Sequence, residues 1–469
     1  HATKGARKPQ MPAKKPRIGL VTLGCDKNTV DMEHIAGALA RRGCEVRVAP
    51  MDPDECRQDF DAVVVLTCGF IADAKTQSVE SLVAWAERKK ATGRPARLYA
   101  AGCLVQRHPG ELQKELPEVD GWVGVGQVAD LVASVTRPPA GGGCAALVKA
   151  HPSMDEVPAQ PRLRLESGPS AWLKIADGCN HRCAFCAIPA IKGPFASLSR
   201  EFLLREARSL VRQGVRELNL IAQDITAYGN DLYPDYRLPE LLRDLCAVPG
   251  DFRVRCLYAY PGGITDRLLD VMAGEGKVVP YLDIPLQHLV PEMLKRMRRP
   301  SATLGTARLL SRIRRRLPGA VLRTTLIAGF PGETREIFRE TVALLREYRF
   351  HWLGVFAYSP EEGTPAERFP DLPTETTRER RRLRLLEAQA AVTAELNAAR
   401  VGAVERLLVE NQEPESGLWQ CRGPFEAPEV DGTIWLSAAP GTVAVGDFVD
   451  ARITASGIYD VFASPSAGD

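Results

Sequence analysis

The sequence predicts an α/β protein in three parts: an N-terminal doubly wound parallel sheet, a central partial (β/α)6 barrel and a small C-terminal all-β barrel. The chain has 469 residues, which is enough for two or three domains. Short β-rich segments alternate with amphipathic segments along most of the chain, as they do in parallel α/β folds. After Val401 this alternation stops, and short strand-like segments follow one another between glycine turns.

The composition is that of an ordinary globular protein, with 45% apolar and 25% charged residues. No apolar run approaches the roughly 18 residues needed to cross a bilayer. No apolar segment follows the basic N-terminus as it would in a signal peptide. Twelve cysteines in such a chain favour the cytoplasm, where thiols stay reduced and bind metals more often than they form disulfides. We therefore expect a cytoplasmic protein that is not held in a membrane.

Five strands are predicted for the N-terminal sheet, at 17–24, 45–49, 61–67, 97–102 and 121–126. Amphipathic stretches such as 30–42 and 74–90 lie between them and predict helices that pack on the sheet. We place this domain at 17–135. A flexible basic tail at 1–16 precedes it, and a linker rich in Pro, Gly and Ser follows at 136–170.

Six strands are predicted for the central barrel, at 171–177, 217–224, 252–260, 280–287, 320–329 and 350–359. Helical patterns separate them, and six such units predict a partial barrel rather than a closed eight-stranded one. A long helix is predicted at 375–399. The central domain therefore covers 171–398, and the C-terminal barrel covers 399–465.

The densest cysteine motif is Cys179-Asn-His-Arg-Cys183-Ala-Phe-Cys186, directly after the first strand of the central domain. Three thiolates on one short loop can hold a single metal centre. A zinc site would need a fourth ligand, for which His181 is the candidate within the loop. An iron–sulfur cluster with three protein ligands would instead leave one iron open for a small molecule.

A second set of three cysteines is spread over the N-terminal domain, where Cys25, Cys68 and Cys103 each follow a predicted strand. The carboxyl ends of parallel strands open onto one edge, where ligands bind, so the three thiols can converge. The alternative is that they are small buried apolar residues. The other six cysteines are expected to be structural or incidental: Cys44, Cys56, Cys144, Cys246, Cys256 and Cys421.

Seven motifs extend this pattern over nearly the whole chain. They are TLGCDKN (22–28), LTCGFI (66–71), AAGC (100–103), KIADGCNHRCAFCAIPAIKG (174–193), YLDIPLQH (281–288), GFPGET (329–334) and VGAVERLLVE (401–410). Together they resemble the radical SAM methylthiotransferase family. IADGCNHRCAFC with LIAQDITAYG (220–229) resembles the ribosomal-protein branch, RimO, rather than the tRNA branch, MiaB. The resemblance implies an N-terminal cluster domain, a radical SAM core and a C-terminal TRAM domain.

The resemblance also implies the activity and the cofactors. The enzyme would add a methylthio group to the β-carbon of an aspartate in small-subunit ribosomal protein twelve; the alternative is a MiaB-like enzyme acting on a tRNA adenosine. S-adenosylmethionine (SAM) would be both radical source and methyl donor, and flavodoxin or ferredoxin would supply electrons. The radical SAM 4Fe–4S cluster would be held by Cys179, Cys183 and Cys186. An auxiliary 4Fe–4S cluster would be held by Cys25, Cys68 and Cys103, and the two triplets should face each other.

Five residues are candidates for contacts with SAM. Phe185 lies between the second and third cluster cysteines, where the superfamily often places an aromatic ring beside adenine. Strand ends at the active face of the barrel carry Gln223, Asp224 and His288. Arg323 could pair with the SAM carboxylate. The alternatives are packing under the loop for Phe185 and a core ion pair with Asp224 or Asp283 for Arg323.

Charge bears on the choice between protein and RNA substrates. Residues 401–469 contain three arginines and no lysine against eleven acids, a balance of −8. A domain that grips tRNA should be basic, since Lys and Arg neutralise phosphates. An acidic domain would instead attract a basic ribosomal protein. We expect a ribosomal protein as partner and not tRNA; alternatively, the acids only keep the domain soluble.

Overall fold

The computed structural model describes residues 15–137, 145–149, 161–299 and 305–466. They form two compact units, of which the first ends at Leu165 and the second continues to the C-terminus and also includes Phe70–Ala72. In these ranges no helix combines the length and the apolar character that crossing a membrane requires.

The first unit is built on a parallel sheet of six strands: β1 (Arg17–Thr22), β2 (Glu45–Val48), β3 (Ala62–Thr67), β4 (Arg97–Gly102), β5 (Gly121–Val123) and β6 (Ala145–Leu147). Its helices are α1 (Asp26–Arg41), α2 (Ala72–Thr92), α3 (Cys103–Arg107), α4 (Pro109–Glu115) and α5 (Val128–Thr136). The strand order is β2-β1-β3-β4-β5-β6. The five predicted strands are all present.

Alternate residues of these strands face two separate hydrophobic layers. One layer contains Met32 and Leu39 of α1 together with Leu131 of α5. The other contains Leu82 and Trp85 of α2. Helices thus cover both faces, and the doubly wound arrangement is confirmed. Because β1 lies between β2 and β3, the topological switch point, where such sheets bind ligands, falls between the ends of β1 and β3.

The segment predicted as a linker, 136–170, contributes more to the first unit than its composition suggests. β6 pairs in parallel with β5, at the edge of the sheet. Further on, Arg162 donates to the buried carboxylate of Glu33 at 2.6 Å, and the Leu163 amide donates to the Glu33 carbonyl at 3.0 Å. β6 consists of Ala, Ala and Leu, without the β-branched residues that predict strands, so only pairing with β5 identifies it. Positions 138–144 and 150–160 of the expected linker, and 1–14 of the expected tail, lie outside the described residues.

The second unit begins with the central sheet and its helices. The strands are β7 (Ser170–Lys174), β8 (Ala176–Asp177), β9 (Ala196–Ser197), β10 (Glu217–Ile221), β11 (Arg253–Cys256), β12 (Val278–Gln287), β13 (Val321–Ala328) and β14 (Trp352–Ala357). The helices are α6 (Ile188–Lys192), α7 (Arg200–Arg212), α8 (Leu238–Cys246), α9 (Asp266–Gly274), α10 (Pro291–Arg296), α11 (Thr306–Arg316), α12 (Arg335–Tyr348) and α13 (Glu375–Ala398). Six strands form an open parallel sheet in the order β7-β10-β11-β12-β13-β14, so the partial barrel is confirmed.

The first predicted strand of this domain, 171–177, is divided in two. β7 ends at Lys174, and the following β8 leaves the barrel sheet to pair with β9 in an antiparallel ribbon. The ribbon redirects the chain into the cysteine loop that follows.

The C-terminal domain is a closed five-stranded barrel formed by β15 (Val404–Gln412), β16 (Trp419–Arg422), β17 (Ile434–Leu436), β18 (Phe448–Ser456) and β19 (Val461–Pro465). Alternating apolar residues fill its interior, among them Leu407, Val409 and Ile453. The predicted all-β barrel is confirmed.

A buried cluster of charges joins the C-terminal barrel to the amino ends of the central strands. Glu217, at the start of β10, has a fully buried carboxylate that accepts hydrogen bonds from Arg253, Arg255 and Arg422. Arg255 also donates to the carbonyl of Gly423 at 2.9 Å. Because the C-terminal barrel occupies the amino end of the central sheet, it leaves the carboxyl end, where α/β barrels carry their active sites, uncovered.

Candidate metal centres

The cysteine loop of the central domain, residues 178–187, leaves β8 through a close approach of two backbones. Gly178 has φ +77°, and a Cβ there would lie 2.1 Å from the carbonyl oxygen of Pro194. The amide of Cys179 donates to the carbonyl of Gly193 at 3.2 Å. A glycine is required before the first cysteine, and the start of the loop is fixed against the residues that follow α6.

Without a metal, two thiols of this loop, Cys179 and Cys186, favour the protonated form. Burial is the largest cause that raises the pKa of Cys179 to about 11 and that of Cys186 to about 12, and the neighbouring cysteines raise both further. Cys183 is also buried. Thiols with such pKa values do not ionise at neutral pH, whereas a bound metal ion deprotonates its thiol ligands. The loop therefore suits a metal centre that supplies positive charge.

One arginine side chain already contributes positive charge. Arg299 is buried, and its Nη1 donates to Cys183 Sγ at 3.4 Å. Its Nη2 donates to the carbonyl of Pro285, and its guanidinium lies 4.3 Å from the centroid of the Tyr260 ring. Its Nε is buried and has no hydrogen-bond partner. A buried donor of this kind, next to a cluster ligand, fits an anionic group at the loop.

A cavity of about 300 Å³ opens beside the first cysteine. It is lined by Cys179, Asn180, His181, Phe195, Asp224, Ala227, Asn230 and Asp231. His181 Nε2 lies 2.7 Å from Asp224 Oδ2, and the His181 ring stacks on Tyr260 with centroids 3.5 Å apart. Asp224 also accepts hydrogen bonds from the amide and hydroxyl of Thr226. The cavity has the size of a small-molecule site next to the candidate metal centre, with a mostly apolar surface and a few polar groups.

The structure places the candidate SAM-binding residues in different surroundings. Asp224 lines the cavity. Gln223 points to the other side of its strand, where Nε2 donates to Asp177 at 2.8 Å and Oε1 is buried without a partner. Phe185 packs edge-on against Phe330, with centroids 6.4 Å apart, as part of a hydrophobic cluster. Asp224 is thus the candidate that the geometry places beside the first cluster cysteine.

Arg323 is held by two carboxylates. Its Nη1 donates to Asp283 at 3.1 Å and its Nε to Asp431 of the C-terminal barrel at 3.3 Å. The ion pair with Asp283, which was the alternative for Arg323, is present, together with a second carboxylate that sequence reasoning did not foresee. His288 is similarly buried, where its Nδ1 accepts a hydrogen bond from the amide of Val290.

The second cysteine triplet lies at the carboxyl edge of the N-terminal sheet. Cys68 and Cys103 directly follow the ends of β3 and β4, and Cys25 lies three residues after the end of β1. A Cβ built on Gly24 would lie 2.6 Å from Cβ and 2.9 Å from Sγ of Cys68, and one built on Gly69 would lie 2.8 Å from the carbonyl carbon of Cys103. Each loop contacts the next, and both contacts require glycine. The expected convergence of the three loops is therefore present.

Local hydrogen bonds hold these loops in place. The side-chain amide of Asn28 donates to the carbonyls of Leu23 at 2.7 Å and Thr67 at 3.3 Å, which ties the ends of β1 and β3 together. Cys25 is the N-cap of the 16-residue helix α1, which fixes its backbone at the start of that helix. Cys25 is exposed, whereas Cys68 and Cys103 are buried, so the triplet opens to solvent through its first member.

The two triplets are the candidate ligand sets for polynuclear clusters. Among the described residues, no three His, Cys, Asp or Glu side chains are grouped to hold a single metal ion. A 4Fe–4S cluster binds each thiolate through a different iron, so its ligands stand further apart than those of one ion. Three cysteines on touching or shared loops fit such a cluster in each unit. The relative placement of the two triplets stays a prediction.

Sequence reasoning did not identify Arg299 or Tyr260 as site residues. Arg299 belongs to the basic segment Lys295–Arg299, which by itself predicts a solvated helix end. The sequence predicts Tyr260 only as the last residue of a strand. His181 was considered as a zinc ligand, whereas its ring is held by Asp224 and Tyr260. These contacts depend on loops that meet only in the folded barrel.

Family models match the three parts of the chain. Residues 17–124 match the uncharacterized protein family UPF0004, residues 173–345 match the radical SAM superfamily, and residues 401–465 match the TRAM domain.

Similar proteins are found among curated sequences and solved structures. The chain is 41% identical over 453 residues to the ribosomal protein uS12 methylthiotransferase RimO of Geobacter sulfurreducens, covering 95% of this chain and 98% of that one. It is 42% identical to the RimO of Desulforudis audaxviator, covering 96% and 97%. A radical SAM methyltransferase, TsrM from Kitasatospora setae, has a similar structure, with a TM-score of 0.56 and 16% identity over 75% of this chain and 77% of that one. This last likeness concerns the fold alone.

Proposed function

The chain belongs to the RimO family of radical SAM methylthiotransferases, and we propose that it adds a methylthio group to the β-carbon of an aspartate in ribosomal protein uS12. One observation carries the proposal: a chain related to RimO over almost its whole length has a cysteine triplet at the carboxyl edge of each of its two parallel sheets. Replacement of hydrogen at an unactivated carbon needs a cofactor, since no side chain is a sufficiently strong hydrogen abstractor.

The enzyme uses SAM and 4Fe–4S clusters. Bound at a reduced cluster, SAM supplies a carbon radical that removes hydrogen from the target. In our proposal the radical SAM cluster is held by Cys179, Cys183 and Cys186. The auxiliary cluster, which delivers sulfur, is held by Cys25, Cys68 and Cys103. The raised pKa values of Cys179 and Cys186 and the glycine contacts of the auxiliary loops support this division.

The cavity beside Cys179 is the proposed SAM site. Asp224 has one carboxylate oxygen bonded to His181 and the other to Thr226, so it is held rigidly against the cavity wall. A carboxylate in this position can accept hydrogen bonds from hydroxyl or amino groups of the ligand. Gln223 supports the loop indirectly, because it holds Asp177, which also pairs with Lys174 and Lys192.

The acidic C-terminal barrel is the proposed docking surface for the basic ribosomal protein. Arginines pair with four of its acids: Glu405, Glu410, Glu426 and Asp431. Other acids are exposed, including Glu415 and Asp450, and the described surface of this barrel offers only Arg406 and Arg452 against them. The charge balance thus favours a cationic partner even after the buried pairs are set aside. We also infer a cytoplasmic location and electron supply from flavodoxin or ferredoxin.

Purified, cluster-loaded protein tests the proposal directly. It is incubated with SAM, a sulfide source and a reductant, together with either uS12 or unmodified tRNA, and both products are analysed by mass spectrometry. We expect a methylthio group on one aspartate of uS12. A methylthio group on a tRNA adenosine with unchanged uS12 would support the MiaB-like alternative.

A further inference from the structure

Arg299 contacts the radical SAM loop from a position that residue spacing does not suggest. The side chain is only 6% exposed and donates through Nη1 to Cys183 Sγ at 3.4 Å. Two other cations close to the loop, Lys174 and Lys192, are paired with Asp177 at 3.3 Å and 3.1 Å. The structure shows no carboxylate within ion-pair distance of Arg299 among the described residues, so its charge faces the cysteine loop.

The surrounding structure holds this guanidinium in place. The carbonyl of Pro285 accepts from Nη2, and the Tyr260 ring, which also stacks on His181, lies 4.3 Å from the guanidinium carbon. The cation–π contact and the hydrogen bond to the carbonyl fix the orientation of the guanidinium without neutralising its positive charge. A buried guanidinium that keeps its full charge is costly to desolvate unless an anionic group lies beside it.

The backbone next to Arg299 and its two contacts is strained. Arg298, Gln287 and Tyr258 are non-glycine residues with left-handed φ angles of +57°, +74° and +63°. Each lies within two residues of Arg299, Pro285 or Tyr260. Such conformations are retained where the surroundings impose them, and they concentrate at functional sites. Three elements are thus bent to bring one arginine, one carbonyl and one ring together.

We propose that Arg299 is a positioning residue that sets the reduction potential of the radical SAM cluster and so its readiness to accept an electron. This inference rests on the proposed ligand set Cys179, Cys183 and Cys186. One electron from an external reductant makes the cluster and its thiolates more negative by one charge, with no bond made or broken. A fixed cation hydrogen-bonded to a ligand sulfur stabilises the reduced form more than the oxidised form, which raises the potential.

The test is a potentiometric measurement on the full-length, cluster-loaded protein, followed by electron paramagnetic resonance. The radical SAM cluster is identified as the component whose signal changes when SAM is added. The variants are Arg299→Gln and Arg299→Lys. Arg296→Gln is the matched control, because Arg296 lies three residues earlier, over the Phe369 ring, and makes no described contact with the cysteine loop. Iron and sulfide content are measured in every sample.

We expect Arg299→Gln to lower the ratio of reduced to oxidised cluster about tenfold at a fixed potential, which equals 59 mV for one electron. Arg299→Lys should recover most of this shift, and Arg296→Gln should show none. If Arg299→Gln fails to load the cluster while Arg299→Lys loads it, a role for the charge is also supported. An unchanged potential in loaded Arg299→Gln, or loss of the cluster from both Arg299 variants, would overturn the inference. Failure of the wild-type protein to load this cluster would instead contradict the proposed ligand set.

Discussion

At the scale of single residues, we propose that six cysteines are cluster ligands and that others only pack in the core, and substitutions can distinguish the two kinds. Replacing Cys179, Cys183 and Cys186 by Ala should abolish reductive cleavage of SAM. Replacing Cys25, Cys68 and Cys103 should remove about half of the iron while SAM cleavage remains measurable, because each triplet lies in its own unit. Methylthio transfer should be lost in both cases.

The matched control is Cys256→Ala, since Cys256 is buried in β11 and its pKa is raised to about 12 by burial. It should keep full iron content. Iron and sulfide content are measured for the two triple variants and the control, and the SAM cleavage products are detected by chromatography. Full iron content after loss of Cys25, Cys68 and Cys103 would show that they bind no cluster.

A single glycine tests the geometry of the auxiliary site. In Gly24→Ala the new methyl group would lie 2.9 Å from Cys68 Sγ, at φ +95°, so the sulfur must move. We expect loss of the auxiliary cluster with SAM cleavage retained. Gly43→Ala is the control, because it has a similar φ of +84° but no atom within 4 Å, and should cost only about 1 kcal/mol of stability. Equal iron content in the two variants would contradict a site at this position.

Residue identity and spacing identified the cysteines but not the residues that orient them. Two patterns can be read directly from the sequence: Cys-x-x-x-Cys-x-x-Cys, and a cysteine after each of three strands. Arg299 and Tyr260 reach the loop only through the barrel, and Arg323 pairs with Asp431, more than 100 residues later. Long-range ion pairs of this kind leave no local pattern.

At the scale of elements, the joint between the central sheet and the C-terminal barrel depends on one carboxylate. Glu217→Gln would leave three buried arginines without their shared anion. We expect it to lower the free energy of unfolding by about 3 to 5 kcal/mol. The surface variant Glu336→Gln weakens only an exposed pair with Arg339 and should leave the free energy of unfolding almost unchanged. Thermal unfolding of the cluster-free protein measures both.

The same carboxylate gives this joint a pH dependence. The arginines hold the pKa of Glu217 well below its usual value of 4.5, although burial acts in the opposite direction. Its contribution to stability is therefore present above pH 4.5 and is lost as the pH falls below it. Glu217→Gln should flatten the stability profile in that acid range. A variant with wild-type stability and an unchanged profile would mean that the cluster of charges does not hold the joint.

Helices and strands could be predicted where a hydrophobic pattern repeats over many residues. They could not be predicted where a short strand forms only because it pairs with another strand. The six barrel strands and the long helix α13 follow from alternation and helical patterns over many residues. β6 has three residues of low β propensity, and β8 and β9 have two each, so their existence depends on a partner strand.

At the scale of the whole molecule, charge should determine how fast the substrate is found. Changing the exposed Glu415, Glu429 and Asp450 to Lys should lower kcat/KM for uS12 by roughly tenfold at low salt, since acidic surfaces steer basic partners. The effect should shrink as salt rises, because the Debye length is ~8 Å at physiological ionic strength. SAM cleavage without uS12 should be unchanged.

The control reverses the same number of charges elsewhere, on the exposed face of α12, at Glu336, Glu340 and Glu347. Steady-state rates at several salt concentrations compare the two triple variants. Equal loss of rate in both would mean that net charge alone matters and that the C-terminal barrel is not the docking surface.

The central claim, modification of uS12, is tested most directly by the mass of intact uS12 from cells of the source organism. Cells lacking this protein are compared with cells complemented by the wild-type gene or by the Cys183→Ala variant. We predict that uS12 carries one methylthio group in place of hydrogen on an aspartate only with the wild-type gene. Unmodified uS12 in all three strains, with methylthio-adenosine in tRNA only where the wild-type gene is present, would contradict the account.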